Sequence, residues 1–172
     1  MELVEGTVEV GGERFPDPGA FVDALSTVGA DHGVTVQAFD ARYVVSRRHL
    51  ERALELADRE RGRGEAIARD RAVEVLLYAA GRRQIDRALT MGVDEGETPV
   101  VVLVDDPGGE AGRERAAASA VGELLAPAET LGAYEPDRVC GFFDIGEVER
   151  SATDADLETL VLERVALLVV ER

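Results

Sequence analysis

The sequence predicts an α/β protein with a single domain over residues 1–172, in which a mixed or antiparallel sheet of about four to five strands packs with about six helices. Three observations support this class. Short valine-rich runs alternate with longer segments of helical periodicity. Apolar residues make up 45% of the chain, which is enough for a core. No repeat or linker divides the sequence.

The N-terminal part predicts a strand, a helix and a second strand. Residues 3–10 (LVEGTVEV) are short, rich in valine and followed by two glycines, which favours a strand and a turn. A helix is expected over residues 16–30. Residues 34–45 combine β-branched and aromatic side chains, which favours a second strand.

Three helices are predicted next. The first begins at Ser46, an N-cap residue, and ends at residues 62–64 (GRG). Its apolar positions follow the spacing i, i+3, i+4, i+7 of one helical face and are Leu50, Ala53, Leu54 and Ala57. The second helix is expected to start near Ile67 and to end at Gly81.

The third helix is expected over residues 82–91, with Ile85 and Leu89 facing inward. Residues 99–105 (PVVVLVD) follow as a nearly continuous apolar run that ends in Asp-Pro-Gly, which predicts an interior strand closed by a turn. A helix is then expected over residues 113–125.

The C-terminal part predicts one more strand and one more helix. Residues 138–145 (RVCGFFDI) are expected to form the strand. Thr153 and Asp156, three residues apart, give a capping-box signal for the final helix.

Charge and composition exclude several classes of function. The chain has 35 acidic residues against 19 basic ones, every one of them arginine, and a net charge of -16. An acidic surplus of this size is typical of a surface adapted to a salt-rich cytoplasm. Without lysine, phosphate-loop NTPases, protein kinases and Schiff-base enzymes are excluded. One cysteine and two histidines exclude a Cys/His zinc site, and no metal or cofactor is expected.

The chain is expected to be cytoplasmic and without a membrane contact. No apolar run reaches the roughly 18 residues of a transmembrane helix. The first residues include Glu2 and Glu5 and lack the positive charge of a signal peptide.

Arginine is concentrated in residues 42–87, which we call the arginine segment. It holds twelve arginines and eight acids, a net charge of +4, whereas the rest of the chain holds seven arginines and 27 acids, a net charge of −20. Such an asymmetry favours contact with a polyanion, and nucleic acid is the leading candidate. The alternative is that these arginines only pair with interleaved acids, as Glu51 with Arg48 and Arg52.

Salt restricts how such a segment binds. At molar ionic strength the electrostatic reach falls to about 3 Å. Binding then rests on direct hydrogen bonds from guanidinium groups and on stacking or apolar contact. A single-stranded RNA end, with splayed bases, suits those contacts better than a duplex.

Two stretches of this segment are similar to a known family. Residues 44–50 (VVSRRHL) place a basic pair before a histidine, and residues 74–85 (EVLLYAAGRRQI) form a helical stretch that ends in Gly-X-Arg-Gln-Ile. With residues 161–167 (VLERVAL), they resemble the kinase-binding accessory subunit of the KEOPS tRNA-modification complex, the TPRKB-like family, from about residue 34 to the end. The chain departs from the family at residues 80–82, where many relatives have Ser-Gly-Gln, and at Ser46, where glycine is common.

The resemblance implies a non-catalytic subunit that docks on a kinase-like ATPase subunit and works indirectly with the threonylcarbamoyl-transferase subunit. It further implies that the subunit holds the single-stranded 3′ CCA end of tRNA, in support of threonylcarbamoyladenosine modification. The residues expected to contact RNA are Arg47, Arg48, Arg82, Arg83, Gln84 and Ile85.

Plainer roles are open for several of these residues. Ile85 fits a core position, and Arg82 and Arg83 fit a solvated surface, although two adjacent arginines beyond a helix end point in different directions. His49, near a helix start, is expected to be a local hydrogen-bonding residue rather than a base.

Two other functions are open. The chain would be a protein-interaction module that regulates a kinase without RNA contact, with residues 165–170 (VALLVV) as a core segment or a docking surface. Alternatively it would be a magnesium-dependent enzyme that uses Asp105 and Asp106, which we interpret instead as turn formers before Pro107. Cys140 is expected to be a buried thiol in a strand rather than a nucleophile.

Overall fold

The computed structural model describes residues 1–152 and 156–171. In this part of the chain the predicted α/β class is confirmed, with four antiparallel strands and eight α-helices. In chain order the elements are β1 (Glu2–Val10), α1 (Pro18–His32), β2 (Thr35–Asp40), a 3-10 turn (Ala41–Tyr43), α2 (Arg47–Gly62), α3 (Arg71–Ala80), α4 (Ile85–Ala88), a second 3-10 turn (Leu89–Met91), β3 (Gly96–Asp105), α5 (Ala111–Gly122), β4 (Ala126–Pro127), α6 (Pro136–Phe143), α7 (Glu147–Ala152) and α8 (Leu157–Leu167).

The chain folds into two compact units. The first, which we call the sheet unit, comprises residues 1–41 and 92–130. The second, which we call the helical unit, comprises residues 42–91 together with the described residues from 131 onward. The arginine segment lies entirely within the helical unit.

The sheet unit has the strand order β2-β3-β1-β4, with every pairing antiparallel. Strand β3 is interior, as predicted, and residues 100–104 are fully buried. Helices α1 and α5 pack on one face of the sheet, where Phe21 and Leu25 of α1 meet Val102 of β3 in the core. Strand β4 is only two residues long and pairs with Gly6 and Thr7 of β1.

Helix α2 begins as predicted, because the hydroxyl of Ser46 accepts the amide of His49 at 3.2 Å. The helix packs against α3 and α8. Of its predicted apolar face, Leu54 is only half-buried, while Leu56 is buried. The amphipathic pattern therefore predicts this helix correctly but assigns Leu54, rather than Leu56, to its buried face.

Helix α3 starts at Arg71, so its predicted start near Ile67 is wrong. The Asp70 carboxylate caps the helix by accepting the amide of Val73 at 3.0 Å. The buried carboxylate of Glu74 accepts the amides of Ile67, at 3.0 Å, and of Ala68, at 2.6 Å. Because the Glu74 carboxylate accepts these two amides, they need no helical hydrogen bonds. The chain before Asp70 is therefore a loop.

The predicted helix over residues 82–91 is shorter than expected, and its inward face is wrong. The chain leaves α3 at Gly81 and makes only the single turn of α4 before the second 3-10 turn. Ile85 and Leu89 are 49% and 56% exposed, whereas Ala88 and Met91 are buried. Because the helix starts three residues later than predicted, a different set of side chains faces inward.

The predicted strand over residues 138–145 is wrong, since residues 138–143 belong to helix α6 and Asp144 caps its end. Pro136 lies in the first turn, where its fixed φ suits a helix. Val139 and Phe143, four residues apart, are buried on one side of the helix. Cys140 is half-buried in this helix, so its expected place as a buried thiol in a strand is also wrong.

The final helix is present, although Thr153 lies outside the described residues. Asp156 caps α8 by accepting the amide of Thr159 at 2.9 Å. In the run 165–170, Val165 and Leu168 are buried, whereas Val170 is 76% exposed. Across residues 1–152 and 156–171, no helix combines the length and apolar character needed to cross a membrane.

Candidate nucleic-acid interface

Helices α2 and α3 lie antiparallel, which brings the first turn of α2 beside the last turn of α3. At one end of the pair, Nε2 of His49 hydrogen-bonds the carbonyl oxygen of Ala79 at 2.8 Å. At the other end, Arg71 forms an ion pair with Asp58 at 2.7 Å. The predicted RNA-binding residues flank the first of these contacts. We call residues 46–49 and 79–85 the hairpin end.

His49 is fully buried and holds the hairpin end together. Burial lowers its pKa to about 4, against the opposing effect of the hydrogen bond to the Ala79 carbonyl. The amide of Val45 donates to Nδ1 at 3.4 Å, so the proton of the neutral ring is on Nε2. The ring also meets Phe143 edge-on, with 5.8 Å between the ring centroids. His49 is therefore a hydrogen-bonding residue, but its shorter hydrogen bond goes to Ala79, 30 positions away in the chain, and not to a local partner as expected.

The basic pair at the start of α2 is exposed, but its two members differ. Arg47 forms an ion pair with Glu51 at 2.9 Å, and both side chains are about half exposed. Arg48 makes no ion pair or hydrogen bond through its side chain to any described residue. Glu51 thus pairs with Arg47 and not with Arg48 or Arg52, which instead contacts Glu55 at 2.8 Å.

Many arginines of the arginine segment form ion pairs with acidic residues. This agrees in part with the alternative that these arginines only pair with interleaved acids. Surface pairs of this kind contribute little to stability, but each occupies a guanidinium group. Four guanidinium groups in the segment are exposed and make no such contact within the described residues; these belong to Arg48, Arg69, Arg83 and Arg87. Two of the four lie at the hairpin end.

Arg82 points inward and is held by α6. Its guanidinium carbon lies 5.1 Å from the centroid of the Phe142 ring, a cation–π distance. The same group donates to the carbonyl oxygen of Phe142 and forms an ion pair with Asp144 at 3.4 Å. Its side chain is only 21% exposed. Most of the hydrogen-bonding capacity of the Arg82 guanidinium is therefore used within the helical unit.

Arg164 of α8 supports the same turn of the chain. Its guanidinium donates to the carbonyl oxygens of Phe143, at 3.1 Å, and Asp144, at 3.2 Å. The hydrogen bond to Glu149, at 2.7 Å, raises the pKa of Arg164 above its ordinary value. Two cations thus satisfy the carbonyls at the C-terminal end of α6, where the helix dipole favours positive charge.

Arg83, Gln84 and Ile85 lie on the outside, directly after the reversal at Gly81. Gly81 has a φ of 61°, the left-handed conformation that ends α3. All three side chains that follow are exposed, and those of Arg83 and Gln84 make no hydrogen bond to the described residues. The structure therefore brings Arg48, Arg83, Gln84 and Ile85 to one exposed end and turns Arg82 inward.

Three features of this surface were not predicted from the sequence. Phe142 supports Arg82, but it was assigned to a strand and had no expected contact. Arg87 of α4 is exposed, and Leu89 is exposed although it was expected to face inward. Helix α4 has only four residues, too few for periodicity to indicate which of its side chains face outward.

Of the acidic pair at the end of β3, Asp106 acts as the expected turn former. Asp106 accepts the amides of Gly108, at 2.7 Å, and Glu110, at 3.1 Å. Asp105 forms an ion pair with the amino group of Met1 at 3.2 Å. Across the residues for which the structure gives a placement, no group of three or more His, Cys, Asp or Glu side chains is arranged to hold a metal ion.

Comparison with known proteins agrees with the resemblance seen in the sequence. No curated protein matches this chain. The model of one family, kinase binding protein CGI-121, matches residues 24–168, which include both helices of the hairpin and the C-terminal helix. This family is described by the kinase that its members bind, and not by a catalysed reaction. Because the match spans most of the chain, the protein belongs to the kinase-binding protein CGI-121 family.

Proposed function

We propose that this chain is the non-catalytic subunit of the KEOPS complex that binds the single-stranded 3′ CCA end of tRNA and docks on the kinase-like ATPase subunit. In this role it supports threonylcarbamoyladenosine modification, which the transferase subunit carries out. Kinase binding is a property of its family. The tRNA contact rests on the chemistry of the hairpin end.

The observation that carries the proposal is the pair of exposed guanidinium groups on Arg48 and Arg83. Each is without an internal partner in the described part of the chain, and the His49–Ala79 hydrogen bond joins the segments that bear them. A guanidinium group binds phosphate through two parallel hydrogen bonds, which salt weakens less than long-range attraction.

The residues next to Arg83 add contacts of the kind that an unpaired base needs. The exposed amide of Gln84 both donates and accepts hydrogen bonds, as the edges of bases require. The exposed side chain of Ile85 offers an apolar surface for a base. A duplex hides its base faces in the stack, whereas a single-stranded end presents them.

The test compares tRNA that has its CCA end with tRNA that lacks it, at molar salt. Titration by fluorescence anisotropy is expected to show at least about tenfold tighter binding of the intact tRNA. R48S/R83S is expected to lose at least about a hundredfold in affinity, since it removes two groups whose charge-assisted hydrogen bonds are worth about 1.5–3 kcal/mol each. The variant is also expected to lose discrimination between the two tRNAs.

R69S/R150S is the matched control, because it removes two other exposed guanidinium groups that make no ion pair to described residues. It is expected to bind like the unaltered protein. Equal affinity for both tRNAs, together with intact binding of the kinase partner, would contradict the proposal. That result would favour a protein-interaction module without RNA contact.

A further inference from the structure

Arg82 attaches the chain between α3 and α4 to helix α6. Its guanidinium donates to the carbonyl oxygen of Phe142 and lies over the ring of the same residue, 5.1 Å from the centroid. Its main-chain amide donates to the carbonyl oxygen of Leu77 at 3.0 Å, which closes the C-terminal end of α3. Arg82 is therefore held through both its main chain and its side chain.

The aromatic ring is a firmer support for Arg82 than the ion pair with Asp144. The side chain of Asp144 is 76% exposed, and exposed ion pairs contribute little to stability. Phe142 is half-buried, and its ring packs edge-on against Tyr43, at 5.4 Å between centroids, and against Phe143, at 5.0 Å. Arg82 thus rests on a ring that other side chains hold in place.

The chain is fixed on both sides of Arg83. On one side is Arg82, and on the other the carbonyl oxygen of Gln84 accepts the amide of Ala88 at 3.1 Å. Ala88 is fully buried. The side chains of Arg83 and Gln84 are exposed and make no hydrogen bond to the described residues. The chain is therefore ordered here, while these two side chains are left for an outside partner.

Order of this kind favours binding. A surface turn that is free before binding has to be ordered when the ligand arrives, and this costs about five- to thirtyfold in affinity for each backbone residue. A turn that is already attached to the fold avoids that cost. The inward arginine at position 82 can therefore raise the affinity of the outward arginine beside it.

We propose that Arg82 is a positioning residue for RNA binding, which acts through Arg83 and Gln84 and does not contact the RNA itself. Phe142 takes part in the same role, because its ring and carbonyl oxygen hold the Arg82 guanidinium. The inference rests on the proposed function. It gives a different role to an arginine that the sequence indicated as an RNA contact.

The experiment is a double-mutant cycle on the affinity for a fluorescently labelled single-stranded RNA that ends in CCA, at molar salt. It compares R82S with the unaltered protein, and R82S/R83S/Q84A with R83S/Q84A. In the unaltered protein, R82S is expected to weaken binding roughly five- to thirtyfold. In the R83S/Q84A background it is expected to change the affinity by less than about twofold, because the side chains through which Arg82 acts are already missing.

R138S is the matched control, since Arg138 is another arginine of the helical unit that packs on an aromatic ring. Its guanidinium carbon lies 5.5 Å from the centroid of the Tyr43 ring, and it forms an ion pair with Glu135 at 2.7 Å. R138S is expected to lower the free energy of unfolding but to keep the RNA affinity.

F142L is the second variant, because it leaves Arg82 in place and removes the ring beneath its guanidinium. It is expected to weaken RNA binding as R82S does. Urea unfolding and binding of the kinase partner establish that each variant is folded under the conditions of the titration.

The outcomes separate this inference from the proposed function. If the unaltered protein binds RNA with and without CCA equally, or not at all, the proposed function fails and the inference fails with it. If binding depends on CCA and R82S lowers the affinity by the same factor in both backgrounds, Arg82 contacts the RNA directly and the inference alone is wrong. Unchanged affinity of R82S would also overturn it. So would equal losses of affinity by R82S and R138S, since stability would then account for both.

Discussion

Nε2 of His49 and the carbonyl oxygen of Ala79 are 2.8 Å apart, although the two residues are separated by 30 positions in the chain. This hydrogen bond joins the first turn of α2 to the last turn of α3. It is fully buried, so water does not replace it when it is lost. The relative position of Arg48 and Arg83 depends on it.

Stability is expected to depend on pH through His49. Its pKa is about 4 in the folded protein and 6.5 in an unfolded chain, so the unfolded state takes up the proton first. The contribution of neutral His49 is therefore complete above pH 6.5 and is lost as the pH falls from 6.5 to 4. It amounts to at most about 3 kcal/mol.

The measurement is urea unfolding of the unaltered protein and of H49Q at several pH values from about 4 to 7.5, at constant salt. H49Q keeps a donor near Ala79 but does not titrate. The difference in unfolding free energy between the two proteins is expected to shrink as the pH falls through this interval. A difference that stays constant with pH would show that His49 does not titrate as described.

Arg82 and Arg83 are expected to have different effects, although they are adjacent. R82S removes the contacts with Phe142 and Asp144 and is expected to lower the free energy of unfolding by about 1–3 kcal/mol. R83S removes an exposed side chain and is expected to change it by less than about 0.5 kcal/mol. Urea unfolding at one salt concentration measures both, and equal losses would contradict the inward placement of Arg82.

Gly81 is expected to tolerate no side chain. Its φ of 61° disfavours alanine by about 1–2 kcal/mol, and an added Cβ would lie 3.2 Å from the carbonyl oxygen of Arg164. G81A is therefore expected to lower the unfolding temperature measurably. G62A is the control, since Gly62 ends α2 with open space around it and alanine favours a helix. If both variants unfold at the same temperature, the left-handed turn at Gly81 is not needed.

The sequence predicted the elements whose signals are local. Ser46 caps α2 and Gly81 ends α3, because a side-chain hydroxyl and a freely rotating backbone act on their own neighbours. The alternation and length of the apolar runs likewise identified β1 and β3. Each of these signals acts within a few residues of the element that it defines.

Residues 138–145 show where local patterns fail. A short apolar run fits a strand or a buried helix equally well by periodicity. Here the proline at 136 and the four-residue spacing of Val139 and Phe143 favoured a helix, and the structure has one. The β-branched and aromatic residues of this stretch favoured a strand by composition, and this signal was misleading.

The candidate site was predictable in its residue types but not in their directions. Arg48, Arg83 and Gln84 are exposed, as their polar side chains suggest, whereas Ile85 was expected to face inward and is exposed. The inward direction of Arg82 depends on Phe142 and Asp144, about 60 residues away in sequence. A contact of that separation leaves no local pattern from which it could be inferred.

Strand β1 also bears on how the protein avoids aggregation. Only two of its residues pair with β4, so in the described residues most of this side of β1 has no neighbouring strand. An unpaired strand edge is a template for a second copy of the same chain. Glu2 and Glu9 lie near the two ends of this strand, and the carboxylate of Glu5 already accepts the amide of Thr130. A second copy aligned along this edge would crowd these carboxylates and strip them of water. The acidic residues of β1 thus make self-association through the sheet unfavourable, even in salt concentrated enough to screen their repulsion.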